Sequence, residues 1–301
     1  MKSQNTHCYL LLLFAATFWG GSFVFTKHLL ESLDPVSIIF IRLVISSAFL
    51  LIISFFFLRK HLRIKKRDVK IVLIFSFFEP FLYFIFETYS LQFTSASIVS
   101  IIIATIPLFT AMLSKYYFKE HFSNLNMAGA IISITGIAVM LLPEFFGATA
   151  GLIGVGLAFL AVLSAVGYGY YVKKLSEAYH PVVVVTYQNT IGAIIFLPLF
   201  LIMNQFSGTN ITAALSNPVN LINLLILAVF CSSLAFIFFL RGIQVLGLGK
   251  ANVFSNLIPV ATAIISFILL GEEFPIYKII GMGIVILGIF LVQKRDSDVR
   301  V

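Results

Sequence analysis

Long apolar stretches, separated by short polar segments, recur along the whole chain. Each is about 17 to 25 residues long, enough for a helix to cross a hydrocarbon core of roughly 30 Å. Membrane strands need only about 9–11 residues in an alternating pattern, whereas these stretches are apolar on all sides. The pattern therefore predicts an all-α membrane protein with ten transmembrane helices, at Cys8–Thr26, Val36–Leu58, Val69–Tyr89, Ser95–Phe118, Asn126–Leu142, Gly151–Val172, Val182–Met203, Val219–Leu240, Ala251–Leu270 and Ile276–Val292.

The second half of the chain repeats the first. Residues 89–141 align without a gap on residues 241–293. The matched pairs include Gln92 with Gln244, Pro107 with Pro259, Glu120 with Glu272, Gly129 with Gly281 and Gly136 with Gly288; nearer the start of each half, Lys27 matches Lys173. Many secondary transporters are built from such repeats, with the substrate path between them. We expect a first five-helix repeat at 1–147 and a second at 148–301, forming one membrane unit.

Composition and charge give the environment and the orientation. Sixty percent of the residues are hydrophobic and only 11% are charged, whereas about a quarter are charged in soluble proteins. If the N-terminus is cytoplasmic, 17 of the 20 Lys and Arg residues lie on the cytoplasmic side. We therefore predict an integral protein of the inner or plasma membrane with both termini in the cytoplasm. Because five is an odd number, the second repeat is then inverted.

The sequence lacks the motifs that several other classes of function require. The net charge of +8 is concentrated at residues 59–70, where a loop between helices meets anionic membrane lipid, and no nucleic-acid motif accompanies it. The chain has no H-E-x-x-H metal motif and no phosphate-binding G-x-x-x-x-G-K-[ST] loop. Cys8 and Cys231 are too far apart to indicate a disulfide framework. We expect no enzyme activity, no metal, no cofactor and no nucleic-acid partner.

The motifs resemble those of a known family. The stretch Phe18–Phe23, the Asp34-Pro35 pair followed by Arg42, and the doubled pattern of a mid-helix Pro, a Glu and two Gly are similar to the EamA-type family of the drug/metabolite transporter superfamily. The resemblance covers essentially the whole chain. It implies two inverted five-helix repeats and a central cavity lined mainly by helices one, three, four, six, eight and nine. It also implies export or uptake of a small metabolite.

Ionisable residues within the apolar stretches are the sharpest functional signal. Glu79 and Glu87 lie in the third stretch with Tyr83 between them, and Arg42 lies in the second. A charge inside the membrane is costly unless it is paired or hydrated, so such residues are candidates for substrate binding or proton coupling. The alternative is a structural ion pair between Arg42 and Glu87, which lie at similar depth. Carboxylates in a cavity favour cationic or zwitterionic substrates.

Polar and aromatic residues at similar depth extend the set of candidates. Their side chains can donate or accept hydrogen bonds or stack on a small ligand. The alternatives are interfacial anchoring for Trp and Tyr, and bonding of a Ser hydroxyl to its own helix. The additional substrate-binding candidates are Trp19, Ser22, Ser100, Tyr168, Asn252, Ser255 and Asn256.

Proline and glycine residues recur at matched positions. Pro107 and Pro259 each remove a backbone donor in the fourth and ninth stretches, so each is a candidate hinge, the alternative being a static kink. The matched glycines of the fifth and tenth stretches lie two turns apart, which favours close helix packing, within one chain or across a homodimer.

The sequence as a whole predicts a secondary active transporter of a small molecule. Alternating access between inverted repeats and an acidic cavity favour an exporter of amino acids or related compounds. The alternative is a flippase for lipid-linked substrates, or another membrane protein without transport activity, such as a sensor.

Overall fold

The computed structural model describes residues 2–58, 63–110, 124–146, 149–206, 211–248, 251, 254–273 and 275–293. These residues are almost entirely helical and include no strand, which confirms the all-α class. Within them, six helices are long and apolar enough to cross a membrane, and shorter apolar helices accompany them.

The helices follow the predicted apolar stretches and extend beyond most of them. We label them α1 (Lys2–Leu29), α2 (Pro35–Phe57), α3 (Lys66–Phe93), α4 (Ala96–Thr110), α5 (Asn124–Phe146), α6 (Thr149–Ala178), α7 (Pro181–Phe206), α8 (Pro218–Leu246), α9 (Phe254–Leu270) and α10 (Ile276–Gln293). A short helix, Ile211–Ser216, precedes α8. The last part of the predicted fourth stretch lies outside the described residues.

Local capping explains where several helices begin. Asp34 accepts a hydrogen bond from the backbone N–H of Ser37, and Pro35 occupies the first turn of α2, where its missing N–H has no cost. Asn217 and Pro218 do the same at the start of α8. Ser95 caps α4 by accepting from the backbone N–H of Ile98.

The main packing contacts join helices of the first half to helices of the second. Helix α1 packs against α8 and α9, α2 against α7, α3 against α6, and α5 against α10. Side chains on the outer faces of these helices include large apolar groups, such as Phe57 and Ile268, which are 81% and 70% exposed. Exposed apolar faces on this scale suit contact with lipid.

Glycines bring α5 and α10 into close contact. A Cβ atom at Gly136 would lie 2.7 Å from the backbone nitrogen of Val285 and 2.8 Å from the carbonyl oxygen of Gly281. A Cβ atom at Gly288 would likewise clash with the backbone of Ser133 and Gly129. The predicted packing role of these glycines is confirmed, and the contact is within one chain.

Two of the long helices are distorted at equivalent positions. Helix α3 is π-helical over Phe77–Leu82, and α8 is π-helical over Leu227–Leu234. Under the 152-residue offset of the repeat, Glu79 aligns with Cys231, so the two distorted segments correspond. Glu79 has the extended angles φ −146° and ψ 118°, directly before Pro80, which has no N–H to donate. Such π-helical segments are frequent at functional sites.

The prolines expected in the middle of helices follow interruptions instead. Helix α4 has a turn at Ala104 and Thr105, and Pro107 is the second residue of the helical segment that follows. Helix α9 begins with a 3₁₀ segment, Phe254–Leu257, and Pro259 lies in the first turn of the α-helix that follows. Each proline therefore begins a new α-helical segment, and its missing N–H leaves no broken bond there. The hinge role stays a prediction.

Candidate functional site

A cavity of about 90 Å³ lies between α1, α2, α3, α4, α6, α8 and α9. This volume is several times what one water molecule requires. Eight of the eleven predicted binding residues line the cavity, namely Trp19, Ser22, Arg42, Glu79, Tyr83, Glu87, Tyr168 and Ser255. The predicted candidates thus converge on one place from four different helices and the 3₁₀ turn of α9.

The other predicted residues lie elsewhere. The hydroxyl of Ser100 donates to the carbonyl oxygen of Ser97 at 2.8 Å, so it bonds to its own helix as the alternative interpretation held. Ser100 and Asn256 are both buried, and neither lines the cavity. Asn252 lies outside the described residues. Periodicity gives the depth of a polar residue, but the direction of its side chain depends on packing between helices.

Arg42 is fully buried and is held by groups from two helices. Its Nε donates to the Ser232 hydroxyl at 2.9 Å, and its guanidinium carbon lies 4.1 Å from the centroid of the Phe84 ring. Its Nη1 is buried without a hydrogen-bond partner. The alternative interpretation, a structural ion pair between Arg42 and Glu87, is not found within 4.0 Å in the described part of the chain. The guanidinium is anchored at one edge and over its face, and its Nη1 has no partner in this arrangement.

Asn189 fixes the helices around Arg42. Its Nδ2 donates to the Ser46 hydroxyl of α2 at 2.6 Å and to the Ser232 carbonyl oxygen of α8 at 2.7 Å. The hydroxyls of Ser46 and Ser233 share a further hydrogen bond of 2.6 Å. This buried network joins α2, α7 and α8 and sets the position of the helix that carries Arg42.

The two carboxylates face the cavity from α3. Glu79 is 6% exposed and Glu87 is 2% exposed. One oxygen of Glu87, Oε2, is buried without a hydrogen-bond partner. Burial of a carboxylate oxygen without a donor is costly, so the unpartnered Oε2 of Glu87 and the break of α3 at Glu79 keep both residues as candidates for the functional site.

Aromatic side chains form much of the remaining wall. The Trp19 ring lies edge-on to Phe236 and Phe239, at centroid distances of 5.2 and 5.1 Å. The Tyr168 ring stacks on Phe75 at 4.6 Å. The phenylalanines of this wall could not be identified from the sequence, because 33 such residues are spread through the apolar stretches.

Hydrogen bonds close the bundle at one end, which we call the Lys27 end. The Lys27 ammonium group donates to the carbonyl oxygens of Leu91 at 2.5 Å and Thr94 at 3.0 Å, at the C-terminus of α3. Glu272 accepts from the backbone N–H of Ala96 at 3.0 Å and from the Ser97 hydroxyl at 2.5 Å. These bonds place a cation at a helix C-terminus and an anion at a helix N-terminus, as the helix dipoles favour.

A second set of bonds lies at the opposite end, which we call the Tyr179 end. The Tyr179 hydroxyl donates to Asp68 at 2.6 Å and accepts from the backbone N–H of Lys65 at 3.1 Å. Partial desolvation and the hydrogen bond to Asp68 raise the pKa of Tyr179. Gln244 donates to the carbonyl oxygens of Ser176 and Tyr179. These contacts join the start of α3 and the ends of α6 and α8, and they lie outside the cavity.

The cavity extends towards the Tyr179 end. Its lining includes Leu248, two residues beyond the end of α8, and Thr110, the last described residue of α4. At the other end, the Lys27 and Glu272 bonds lie beyond Glu87, which is the lining residue nearest to them along α3. The hydrogen bonds of Lys27 and Glu272 therefore lie beyond the cavity lining, at the Lys27 end.

An all-helical bundle with exposed apolar faces and a buried, charged cavity defines a membrane protein of the transporter class. The chain matches the EamA-like transporter family twice, over residues 6–142 and 152–293. Since these matches cover most of the chain, it belongs to that family, and the predicted resemblance is confirmed.

Several relatives of the chain carry transporter names. The chain is 26% identical to an uncharacterized transporter of Archaeoglobus fulgidus over 95% of its length and 99% of the relative's. It is also 26% identical to the uncharacterized transporter YetK of Bacillus subtilis, over 99% of its length and 91% of that protein's. A probable terminal-alkyne amino-acid exporter of Streptantibioticus cattleyicolor is 25% identical over 68% of this chain and 66% of its own.

The fold also matches the crystal structure of another protein. The TM-score is 0.69 at 14% sequence identity, covering 95% of this chain and 96% of the other. At this identity the likeness concerns the fold alone.

Proposed function

We propose that the protein is a secondary active transporter that exports amino acids or related small metabolites by alternating access. The observation that carries the proposal is the buried cavity that holds Arg42, Glu79 and Glu87 between helices of both halves. An intramembrane site at the interface of two repeats is typical of secondary transporters. The amino-acid exporter among the relatives supports the substrate class.

The proposed architecture is ten spans in two inverted five-helix repeats, residues 1–147 and 148–301, with both termini in the cytoplasm. The two family matches divide the chain close to this boundary. The paired π-helical segments and the pairing of helices across the halves also support an internal two-fold relation. With this orientation the Lys27 end faces outward.

The proposed coupling residue is Glu79. It lies at the break of α3 and faces the cavity, so a proton can reach it from whichever end is open. Movement of α4 and α9 at the interruptions before Pro107 and Pro259 would open and close the two ends. Homodimer formation is not required for this cycle.

The experiment is flux into proteoliposomes of a labelled amino-acid panel, with and without an imposed pH gradient. We expect at least one amino acid to accumulate, and the gradient to increase its initial rate several-fold. Empty liposomes made from the same lipid are the control. Absence of flux for the whole panel would contradict the proposal and favour the flippase alternative, which movement of a fluorescent lipid-linked substrate between leaflets would then test.

A further inference from the structure

The cavity holds two opposite charges that do not satisfy each other. Arg42 and Glu87 are each 2% exposed, both line the cavity, and each has an atom without a partner, Nη1 and Oε2 respectively. Their charged groups are too far apart for an ion pair within 4.0 Å in the part of the chain that the structure describes. Buried charges of this kind are normally paired, so a ligand with both signs of charge would satisfy both atoms at once.

The position of Arg42 is fixed before any ligand arrives. The Ser232 hydroxyl accepts from Nε, and the Phe84 ring lies against the guanidinium face at 4.1 Å. A guanidinium held in this way presents its remaining N–H groups in a fixed plane, a geometry that matches a carboxylate. Glu87 lies on the neighbouring helix and presents an acceptor, which suits an ammonium group.

The rest of the wall selects for an apolar substituent. Trp19, Phe236 and Phe239 form an edge-on aromatic group beside the charged residues. Such a surface favours aliphatic or aromatic side chains and gives no partner to a further charge.

We propose that the cavity selects free α-amino acids with an apolar side chain, with the carboxylate on Nη1 of Arg42 and the ammonium group on Oε2 of Glu87. The inference rests on the proposed transport function and adds the two specificity-determining residues. The ammonium group of the zwitterion binds only Glu87, so the carboxylate of Glu79 can still serve proton coupling.

Binding can be measured without transport, because Trp19 is the only tryptophan in the sequence and lines the cavity. Its fluorescence in purified, detergent-solubilised protein is titrated with leucine, leucinamide, N-acetylleucine and glycine. Leucinamide lacks the carboxylate, N-acetylleucine lacks the ammonium group, and glycine lacks the apolar side chain. We expect leucine to bind about tenfold to a hundredfold more tightly than either leucine derivative, as loss of one charge-assisted hydrogen bond predicts. Glycine also binds more weakly than leucine.

Variants assign each end of the ligand to a residue. In Arg42→Gln, leucine and leucinamide should bind equally, while discrimination against N-acetylleucine remains. In Glu87→Gln, leucine and N-acetylleucine should bind equally, while discrimination against leucinamide remains. Arg241→Gln and Glu177→Gln, at exposed positions outside the cavity, are the matched controls and should retain the wild-type pattern. If loss of the positive charge in Arg42→Gln prevents folding, Arg42→Lys keeps that charge and should retain discrimination against leucinamide.

The outcomes separate this inference from the transport proposal. Equal binding of leucine and its two derivatives by the wild type would overturn the inference, and flux of an amino acid in that case would leave transport standing. An equal loss of all ligands in folded Arg42 and Glu87 variants would also overturn it, because a structural role has that effect. Selective leucine binding without flux would support this substrate class and contradict transport.

Discussion

Glu79 interrupts α3 where that helix meets the cavity, and this position gives it a distinct role among the buried charges. Its backbone is extended while its neighbours are helical, so its side chain is directed by the break and by Pro80. A carboxylate at such a point contacts the cavity without contributing to a continuous helix. A proton-coupling role requires the group to gain and lose a proton once in each cycle.

Replacement of Glu79 with Gln should uncouple transport while leaving the fold intact. Gln has nearly the same shape but cannot exchange a proton, so flux driven by a pH gradient should fall by about tenfold or more. Exchange of labelled for unlabelled amino acid across the membrane, which needs no net proton movement, should continue. Both are measured in proteoliposomes, with Glu177→Gln at the exposed end of α6 as control. An unchanged response to the gradient would exclude Glu79 as the coupling residue.

The charged cavity residues could be predicted from the sequence because a charge is conspicuous among apolar neighbours. Arg42, Glu79 and Glu87 all line the cavity as expected. The orientation of Ser100, and the absence of an ion pair between Arg42 and Glu87, could not be predicted. Both depend on helix rotation, which in α3 is changed by the π-helical segment.

At the scale of helices, glycine contacts hold α5 and α10 together. The two helices contact backbone to backbone, because a Cβ atom at Gly136 or Gly288 has no space. Small residues two turns apart predicted close packing of each helix, but the sequence did not predict that the two helices pack against each other. Longer helix ends, such as Lys2 before the first apolar stretch, were not predicted, because helical hydrogen bonding continues into polar residues.

A Gly136→Ala substitution should destabilise the protein. The added methyl group would lie 2.7 Å from a backbone nitrogen, which cannot move without separating α5 from α10, so we expect a loss of roughly 1–3 kcal/mol. Thermal unfolding in detergent measures the change. Gly283→Ala on α10 is the matched control, because its Cβ atom would meet nothing within 4 Å. Equal melting temperatures for the two variants would contradict the packing described for this helix pair.

The bonds of Lys27 have a counterpart in the second half. Lys27 aligns with Lys173, and the residues whose carbonyls it binds, Leu91 and Thr94, align with Ile243 and Leu246 at the end of α8. Lys173 is exposed in this state, and α6 packs against α8 as α1 packs against α3. If the two ends exchange roles, Lys173 binds the end of α8 in the opposite state.

Opposite effects are therefore expected from two equivalent substitutions. Lys27→Met removes the charged donor that ties α1 to α3, so the state open at the Lys27 end should become at least tenfold more populated. Lys173→Met should disfavour that same state. The populations are compared by measuring how far a cysteine placed in the cavity is protected from thiol reagents that are added at one membrane face at a time. Effects in the same direction would show that the two lysines do not act as exchanged partners.

At the scale of the whole molecule, the two halves enclose a cavity that lies between the Lys27 end and the Tyr179 end of the bundle. Helices of both halves contribute to its wall, and the pairs α2 with α7 and α5 with α10 also join the two halves. The repeat could be read from the sequence, since matched prolines and glycines keep their spacing. The hydrogen bonds at the Lys27 end could not be predicted from the sequence. A lysine at this position also fits a residue that anchors a helix at the membrane interface, and only its contacts with α3 distinguish the two roles.

Sided labelling of one cysteine tests the central claim, that a single cavity opens alternately to the two faces. Ser22→Cys places the thiol in the cavity, and the buried native residues Cys8 and Cys231 are replaced by Ser and Ala. A membrane-impermeant maleimide is added to one face at a time, in right-side-out and inverted vesicles. We predict labelling from both faces and protection by a bound amino acid. Labelling from only one face in the wild type, Lys27→Met and Lys173→Met alike would contradict alternating access.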